Sequence, residues 1–276
     1  MFIRGLLFVG LCTMATPVNA QDVAPSSQPH LRELCSERPG LSTAVCTVDP
    51  GHLQAELGLG NWALDKTADE QEDQIDVADI LLRYGIGSST EIQFGWVAYS
   101  HVRTRDRISG DVSNSSGIGD LTLGLKQNLL HPAESAPGFA ASILPSVTVP
   151  LAKGSVGNGD WSAGLLIPLS YKFDDMISVV LSPEIDAAAD EDGEGRHLSY
   201  GAAMGMQVHV REALRLSPEL QFIRDDDPEQ SVTRSAASLS IDMRIKDRTQ
   251  FDVQAVTGLN HNTADVMLSF GITHKF

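Results

Sequence analysis

Apolar and polar residues alternate along most of the chain from about residue 51 to the end. The C-terminal segment is the clearest case, because one parity is apolar or aromatic and the other is small or polar. The first parity is Val266, Leu268, Phe270, Ile272, His274 and Phe276, and the second is Met267, Ser269, Gly271, Thr273 and Lys275. A period of two sends alternate side chains to opposite faces of a β-strand. The pattern therefore predicts strands with one apolar and one polar face.

Twelve segments carry this alternation, and most of them are roughly ten to fourteen residues long, against a mean of about 5–6 for soluble strands. They are residues 52–64, 75–84, 90–100, 119–129, 139–150, 160–173, 176–187, 197–210, 213–224, 232–245, 249–258 and 265–276. About ten residues at ~3.3 Å each, tilted by ~45°, span roughly 24 Å, the height of the apolar band of an outer-membrane barrel.

The connections between these segments alternate between long polar loops and tight turns. Long ones are residues 65–74, 101–118, 188–196 and 225–231, and tight ones are 85–89, 174–175, 211–212 and 246–248. Short turns on one side and long loops on the other are typical of a bacterial β-barrel with both termini in the periplasm. The fold class predicted is an all-β transmembrane antiparallel barrel of about twelve strands, in the outer membrane of a Gram-negative bacterium.

Prolines inside four of the proposed strands argue against regular pairing there. They are Pro145, Pro168, Pro183 and Pro218. Proline lacks the donor that the ladder needs, and a closed barrel has no edge strand to hold it. We therefore expect each of them at a bulge or near a rim.

The N-terminal residues precede the barrel and divide into two parts. Residues 1–20 have a positive Arg4, a short apolar stretch and a small-residue cleavage site at Ala20, the pattern of a secretory signal peptide. Residues 21–50 follow and keep two cysteines, Cys35 and Cys46, which we expect to form a disulfide in an oxidising compartment, the alternative being two thiols. This segment lies in the periplasm or threads into the lumen as a plug, and residues 51–276 form the barrel.

The net charge of the chain limits the kinds of molecule that it can bind. The chain of 276 residues has 20 Lys+Arg against 36 Asp+Glu, a formal net charge of −16. This balance argues against nucleic acid as a partner, because phosphate binding needs clustered basic residues. On the inward parity of the proposed strands, both signs occur. The lumen-lining candidates are Glu56, Glu91, Lys126, Lys172, Glu184, Arg215, Glu219, Asp242 and Arg244. Two interpretations stay open: a selectivity-setting constriction, or ion pairs that only neutralise a buried polar interior.

Two of these carboxylates occupy matching sequence contexts. Ser182-Pro183-Glu184 and Ser217-Pro218-Glu219 each place a glutamate on the inner face just after a proline. If the register is regular, Glu184 and Glu219 form an interior acidic patch.

Several short motifs match a known family. They are Cys35-x-x-Arg38-Pro39 with Cys46, Pro50-Gly51-His52, Arg83-Tyr84-Gly85-Ile86, residues 117–126 (GIGDLTLGLK) and Val147-Thr148-Val149-Pro150. With these motifs the chain resembles a family of porin-like outer-membrane transporters named for the MetA pathway of phenol degradation. The resemblance covers nearly all of the chain after the signal peptide. It implies a barrel of twelve or a similar number of strands and transport of small solutes, aromatic or hydrophobic compounds among them.

Other motifs fail the tests for catalysis or cofactor binding. Gly117-x-Gly119 lies before a strand, not before a helix N-terminus, so it does not match a phosphate loop. His197 and Ser199 suggest a lipid hydrolase, but Ser199 has the inward parity, away from lipid. The acidic loops lack calcium-loop spacing, and the cysteines and histidines lack zinc spacing. We therefore predict no catalytic residue, no cofactor and no metal.

The predicted function is a monomeric outer-membrane channel for diffusion of small solutes. Its expected surroundings are outer-membrane lipid, lipopolysaccharide and the barrel-assembly machinery, for which Phe270 and the terminal Phe276 form a C-terminal insertion signal. Two alternatives stay open: a lipid-modifying enzyme of the outer membrane and a structural barrel that does not conduct.

Overall fold

The alternating segments form one antiparallel β-sheet that closes on itself. The computed structural model describes residues 31–132, 136–152, 156–157, 159–190 and 195–276, so the signal peptide predicted at residues 1–20 lies outside the described residues. The strands are β1 (Leu53–Lys66), β2 (Glu70–Gly85), β3 (Thr90–Asp106), β4 (Val112–Gly117), β5 (Leu121–Leu130), β6 (Gly138–Val149), β7 (Ser162–Leu166), β8 (Leu169–Lys172), β9 (Ile177–Ala189), β10 (Arg196–Arg211), β11 (Leu214–Asp226), β12 (Ser231–Lys246), β13 (Thr249–Gly258) and β14 (Val266–Lys275).

Closure is made by the pairing of the first strand with the last. β1 pairs with β2 on one side and with β14 on the other, and the remaining neighbours follow chain order. β7 and β8 both lie between β6 and β9, so they act as one interrupted strand. Over the described part of the chain the wall therefore has twelve strands, as the sequence predicts, and β4 is a short hairpin partner of β3 outside the closed path.

The predicted boundaries differ most from the observed ones in three places. The long loop predicted at residues 65–74 is mostly strand, because β1 continues to Lys66 and β2 begins at Glu70. The loop predicted at residues 101–118 is partly strand, because β3 continues to Asp106 and pairs with β4 above the wall. The single strand predicted at residues 160–173 breaks at Ile167 and Pro168. There the Ile167 N–H donates to the Pro183 carbonyl over 2.9 Å, and the Pro168 carbonyl accepts from the Ser142 N–H over 2.9 Å.

The expectation that every proline sits at a bulge or rim is wrong for three of the four. Pro145 lies opposite Leu165, Pro183 opposite Ala202 and Pro218 opposite Leu239, all in runs without a register shift. Each proline removes one donor from the ladder, worth about 1 kcal/mol net. The flanking pairs keep the register, so the wall tolerates the loss.

Polarity in this barrel is inverted relative to a soluble protein. Outward side chains such as Leu239, Val253 and Phe270 are half-exposed, whereas the inward Ser240 and Thr273 are fully buried. An apolar outer band is what a lipid environment requires, while backbone groups are satisfied between strands. Both faces predicted for the C-terminal strand are therefore confirmed. Among the described residues, no helix has the length and apolar character to cross a membrane.

Tight turns and the barrel termini lie at one end of the sheet. The Phe276 N–H donates to the Leu53 carbonyl over 2.8 Å, which places the end of the chain beside the start of β1. The turns β2–β3, β8–β9, β10–β11 and β12–β13 are at this same end, since antiparallel strands alternate in direction. In outer-membrane barrels this is the periplasmic end.

The outward face gives a direct test of membrane orientation. Val253 is central in β13 and 56% exposed, so Val253→Arg should lower the free energy of unfolding in bilayers by about 2–4 kcal/mol. The measurement is equilibrium denaturant titration in phospholipid vesicles, with Val253→Leu as the matched control. Equal stability of the two variants would show that this face does not meet lipid.

Candidate functional site

Residues 32–50 contact inward-facing side chains of the wall. A disulfide joins Cys35 to Cys46, with Cα atoms 6.4 Å apart, and closes a small loop. Leu34, Val45 and Val48 are buried. The segment has no regular secondary structure apart from an isolated bridge at Pro50, so its backbone donors and acceptors need partners elsewhere. Those partners come largely from the barrel interior.

Arg83 in β2 is the centre of the largest interior network. Its guanidinium donates to Glu91 Oε1 over 2.8 Å and to Glu56 Oε1 over 3.0 Å, and all three side chains are fully buried. It also donates to the carbonyls of both disulfide cysteines, over 2.8 Å to Cys35 and 2.9 Å to Cys46. One side chain thus joins β1, β2, β3 and the N-terminal loop.

The two glutamates of this network bind backbone donors of the segment. Glu56 accepts from the N–H groups of Glu37 and Arg38 over 3.1 and 2.9 Å. Glu91 accepts from the Val48 N–H over 2.7 Å. Charge-assisted bonds of this type are roughly twice as strong as neutral ones. The wall carboxylates therefore fix the path of an otherwise irregular chain.

Lys126 in β5 provides a second positive anchor. Its ammonium group pairs with Glu37 and donates to the Ala44 carbonyl over 2.7 Å. Burial alone would raise the pKa of Glu37, but the charges of Lys126 and Arg83 outweigh it and hold that pKa below its ordinary value. Glu37 therefore stays ionised within the network.

On the opposite wall, the same segment is bound by β9 and β11. Glu219 accepts from the N–H groups of Leu41 and Ser42 over 2.6 and 3.2 Å and from the Ser42 hydroxyl. The Thr43 N–H donates to Ser182 Oγ over 2.9 Å. Because β9 and β11 lie across the barrel from β2, residues 32–50 span the lumen.

Arg38 lies against the wall in a slot made by two glycines. Gly58 in β1 and Gly271 in β14 are direct register partners. A Cβ atom on Gly58 would approach the guanidinium to 2.9 Å, and one on Gly271 to 2.7 Å. The guanidinium also pairs with Asp79 at 3.6 Å and Asp252 at 3.3 Å. Only residues without a side chain leave room for it here.

Beside Arg38, a cavity of about 300 Å³ remains in the lumen. Its lining is mixed: Leu81 and Leu144 are apolar, Thr122 and Ser146 carry hydroxyls, and Gly95 and Gly124 widen it. This cavity next to the segment has room for a small molecule.

The nine lumen-lining candidates fall into separate environments. Glu56, Glu91 and Lys126 point inward but are enclosed under the segment with no exposed surface. Arg215 and Asp242 form an ion pair at 2.7 Å. At the periplasmic end, Lys172 pairs with Asp175 at 2.8 Å, and Arg244 approaches Glu33 at 3.5 Å.

Glu184 and Glu219 do not form the acidic patch expected from their matching contexts. Glu184 lies opposite Gly201 and Glu219 opposite Gly205, so the two glutamates are four β10 residues apart along the barrel. Glu219 binds the segment, whereas Glu184 Oε1 is buried without a hydrogen-bond partner. The difference arises from strand stagger, which the sequence does not encode locally.

The motifs considered for catalysis and phosphate binding make contacts that belong to the structure of the barrel. Ser199 faces inward and is buried, as its parity predicts. Both ring nitrogens of His197 face aspartate oxygens, so neither is directed at Ser199. Gly119 donates its N–H to the Val97 carbonyl over 2.8 Å, and a Cβ atom there would come within 2.8 Å of Val97. Gly119 therefore lies where the chain before β5 packs closely against Val97 of β3.

Sequence and structure comparisons agree on this architecture. A family profile described as "Putative MetA-pathway of phenol degradation" matches residues 36–276. An outer membrane channel from Pseudomonas putida F1 is similar with a TM-score of 0.68 and 14% identity, over 86% of this chain and 99% of that one. The transport unit of the autotransporter AIDA-I from Escherichia coli is similar with a TM-score of 0.53 and 9% identity, over 82% and 90%. No individually curated protein matches the sequence.

Removal of the central guanidinium should destabilise the protein strongly. Arg83→Met leaves Glu56 and Glu91 buried without their shared cation, and we expect a loss of about 3–5 kcal/mol in the free energy of unfolding. Denaturant titration in detergent micelles measures it. Arg215→Met, which removes a partly exposed ion pair, is the control and should cost less. A smaller loss for Arg83→Met than for Arg215→Met contradicts a central role for Arg83.

Proposed function

Because the chain belongs to the family described as "Putative MetA-pathway of phenol degradation", we propose that it is an outer-membrane channel through which small solutes diffuse. One observation carries this proposal: a closed barrel with an apolar outside encloses a polar lumen that the N-terminal segment narrows but does not fill. Twelve strands lie between the filled eight-stranded barrels and the open sixteen-stranded porins.

Residues 32–50 act as a plug with a fixed position in this channel. The contacts with Glu56, Glu91 and Lys126 on one wall and with Glu219 on the other support this role. Of the two positions that the sequence left open for residues 21–50, these contacts favour the lumen for the part from Arg32 onward. Selectivity then comes from the width of the remaining passage and from the charges at its border, Arg38 and Asp79.

The solutes that suit this passage are small and partly apolar. The cavity beside Arg38 offers the side chains of Leu81 and Leu144 together with hydroxyl groups, a lining that suits a compact aromatic or hydrophobic molecule with one polar group. Ionic solutes meet the guanidinium of Arg38, which lies between the carboxylates of Asp79 and Asp252. We assign no catalytic residue and no cofactor to this function.

The partners of this channel follow from its location. Phe270 and Phe276 are half-exposed on the outer face of the last strand, where they can serve as the C-terminal signal for the barrel-assembly machinery. The channel works as a monomer in outer-membrane lipid and lipopolysaccharide. Its substrates are small-molecule solutes.

A second candidate is a closed structural barrel that does not conduct. The density of buried ion pairs between segment and wall, centred on Arg83, favours it. Solute flux separates the two functions.

The test is solute uptake by proteoliposomes that contain the purified protein. We expect uptake of small neutral and aromatic solutes above that of protein-free vesicles, with a cut-off below the size of a disaccharide. Arg38→Ala removes the side chain that borders the cavity, so uptake should rise. Arg103→Ala, an exposed arginine of β3, is the matched control and should leave uptake unchanged.

Absence of uptake in the native protein and in Arg38→Ala, with folding verified by heat-dependent gel mobility, would contradict the channel and favour the closed barrel. Equal uptake by all three proteins would contradict the role of Arg38.

A further inference from the structure

A second cluster of ionisable side chains lies at the opposite, extracellular end of the barrel. It joins the ends of three neighbouring strands: Asp190 follows β9, His197 is the second residue of β10, Asp225 is near the end of β11, and Asp227 directly follows it. Antiparallel pairing brings these positions together although they are far apart in sequence. Within the part of the chain that the structure describes, none of these four side chains forms a hydrogen bond or ion pair with residues 32–50.

One nitrogen of His197 lies where two carboxylates meet. Nδ1 is 2.9 Å from Asp190 Oδ1 and 3.3 Å from Asp227 Oδ2, and the three atoms lie within 4.8 Å of one another. Ligand atoms about 2.0–2.2 Å from a zinc ion are separated by roughly 3.0–3.5 Å. The Nδ1–Asp227 separation lies within this range and the Nδ1–Asp190 separation is about 0.1 Å below it, so an ion fits between the three side chains after a small outward shift of Asp190.

The other nitrogen of His197 has the partner that metal-binding histidines usually have. Nε2 pairs with Asp225 Oδ1, and Asp225 in turn pairs with Arg234 at 2.8 Å. A carboxylate on the far nitrogen fixes the tautomer of the ring and directs Nδ1 as an acceptor toward a metal. The Oδ1 atom of Asp227 accepts from the Glu229 N–H over 2.7 Å, and its Oδ2 atom is the one that faces His197.

Charge and space agree with a divalent cation. Asp190, Asp225 and Asp227 place three negative charges around the His197 ring, and Arg234, which pairs with Asp225, supplies one positive charge. Among these side chains, a doubly charged ion would balance the remaining two charges with the ring neutral. A cavity of about 440 Å³ adjoins the cluster and is lined by Asp190, His197 and Ser199 among others. It offers room for water molecules that complete the shell.

We propose that Asp190, His197 and Asp227 bind a divalent transition-metal ion, with zinc the best match to one imidazole and two carboxylates, and that Asp225 is a positioning residue for His197. The bound ion ties the extracellular ends of β9, β10 and β11 beside the mouth of the lumen. Residues 190, 197 and 227 come together only when the barrel folds. The lack of a zinc-binding motif in the sequence therefore does not argue against this site.

The test is titration of the full protein, purified without a histidine tag and stripped with EDTA, with zinc chloride at neutral pH. We expect one zinc ion per chain by calorimetry. His197→Gln and Asp227→Asn should each weaken binding at least ~10-fold, and Asp225→Asn by about 10–100-fold through the loss of ring orientation. His101→Gln is the control, because His101 lies in the extracellular half of β3 and its ring hydrogen-bonds to the Ser116 hydroxyl, away from the aspartates of the cluster.

A further variant separates a metal site from a purely structural ion pair. His197→Lys introduces a positive charge that can pair with the aspartates, but it lacks the imidazole that the metal site requires, so it should fold and lose zinc. Heat-dependent gel mobility verifies folding, and Asp190→Asn replaces any variant that fails to fold. No zinc binding by the native protein overturns the proposal. Equal binding by His197→Gln, or an equal loss in His101→Gln, overturns it as well.

Discussion

The interior of this barrel depends on the fully buried guanidinium of Arg83. Glu56 and Glu91 neutralise it, and its remaining donors bind the carbonyls of Cys35 and Cys46. An uncompensated buried charge costs several kcal/mol, so none of these groups can leave without the others. The same glutamates bind backbone donors of the N-terminal segment, which makes the position of that segment part of the charge balance of the wall.

The lipid outside the barrel and the charged side chains inside it together explain how the N-terminal segment contacts the wall. Charged side chains are costly on the lipid-facing side of the spanning strands, and Glu56, Arg83, Glu91 and Lys126 are fully buried inside the barrel. The segment supplies backbone N–H and C=O groups, together with Glu37 and Arg38, that satisfy this charge. The hydrogen bonds between segment and wall therefore narrow the lumen, while the cavity beside Arg38 stays open.

The strands could be predicted because lipid imposes the same period of two everywhere, as β14 illustrates. Arg83 could not be identified in this way. In β2 the odd-numbered residues Ile75 and Val77 point outward and are half-exposed, whereas Arg83, also odd-numbered, is buried inside. Ala78, which follows Val77, has a positive φ of 56°. The parity therefore changes within the strand. The path of residues 32–50 and the extracellular cluster around His197 depend on strand stagger and on side-chain partners, which no local pattern encodes.

The central claim is that residues 32–50 occupy the lumen and set the width of the passage. Single-channel conductance in planar bilayers tests it most directly, with the native protein compared with a variant that lacks these residues under the same salt. The account predicts small steps for the native protein and several-fold larger steps for the variant, whose wall charges are then hydrated. Equal steps from both proteins, with each shown to be folded, would contradict it.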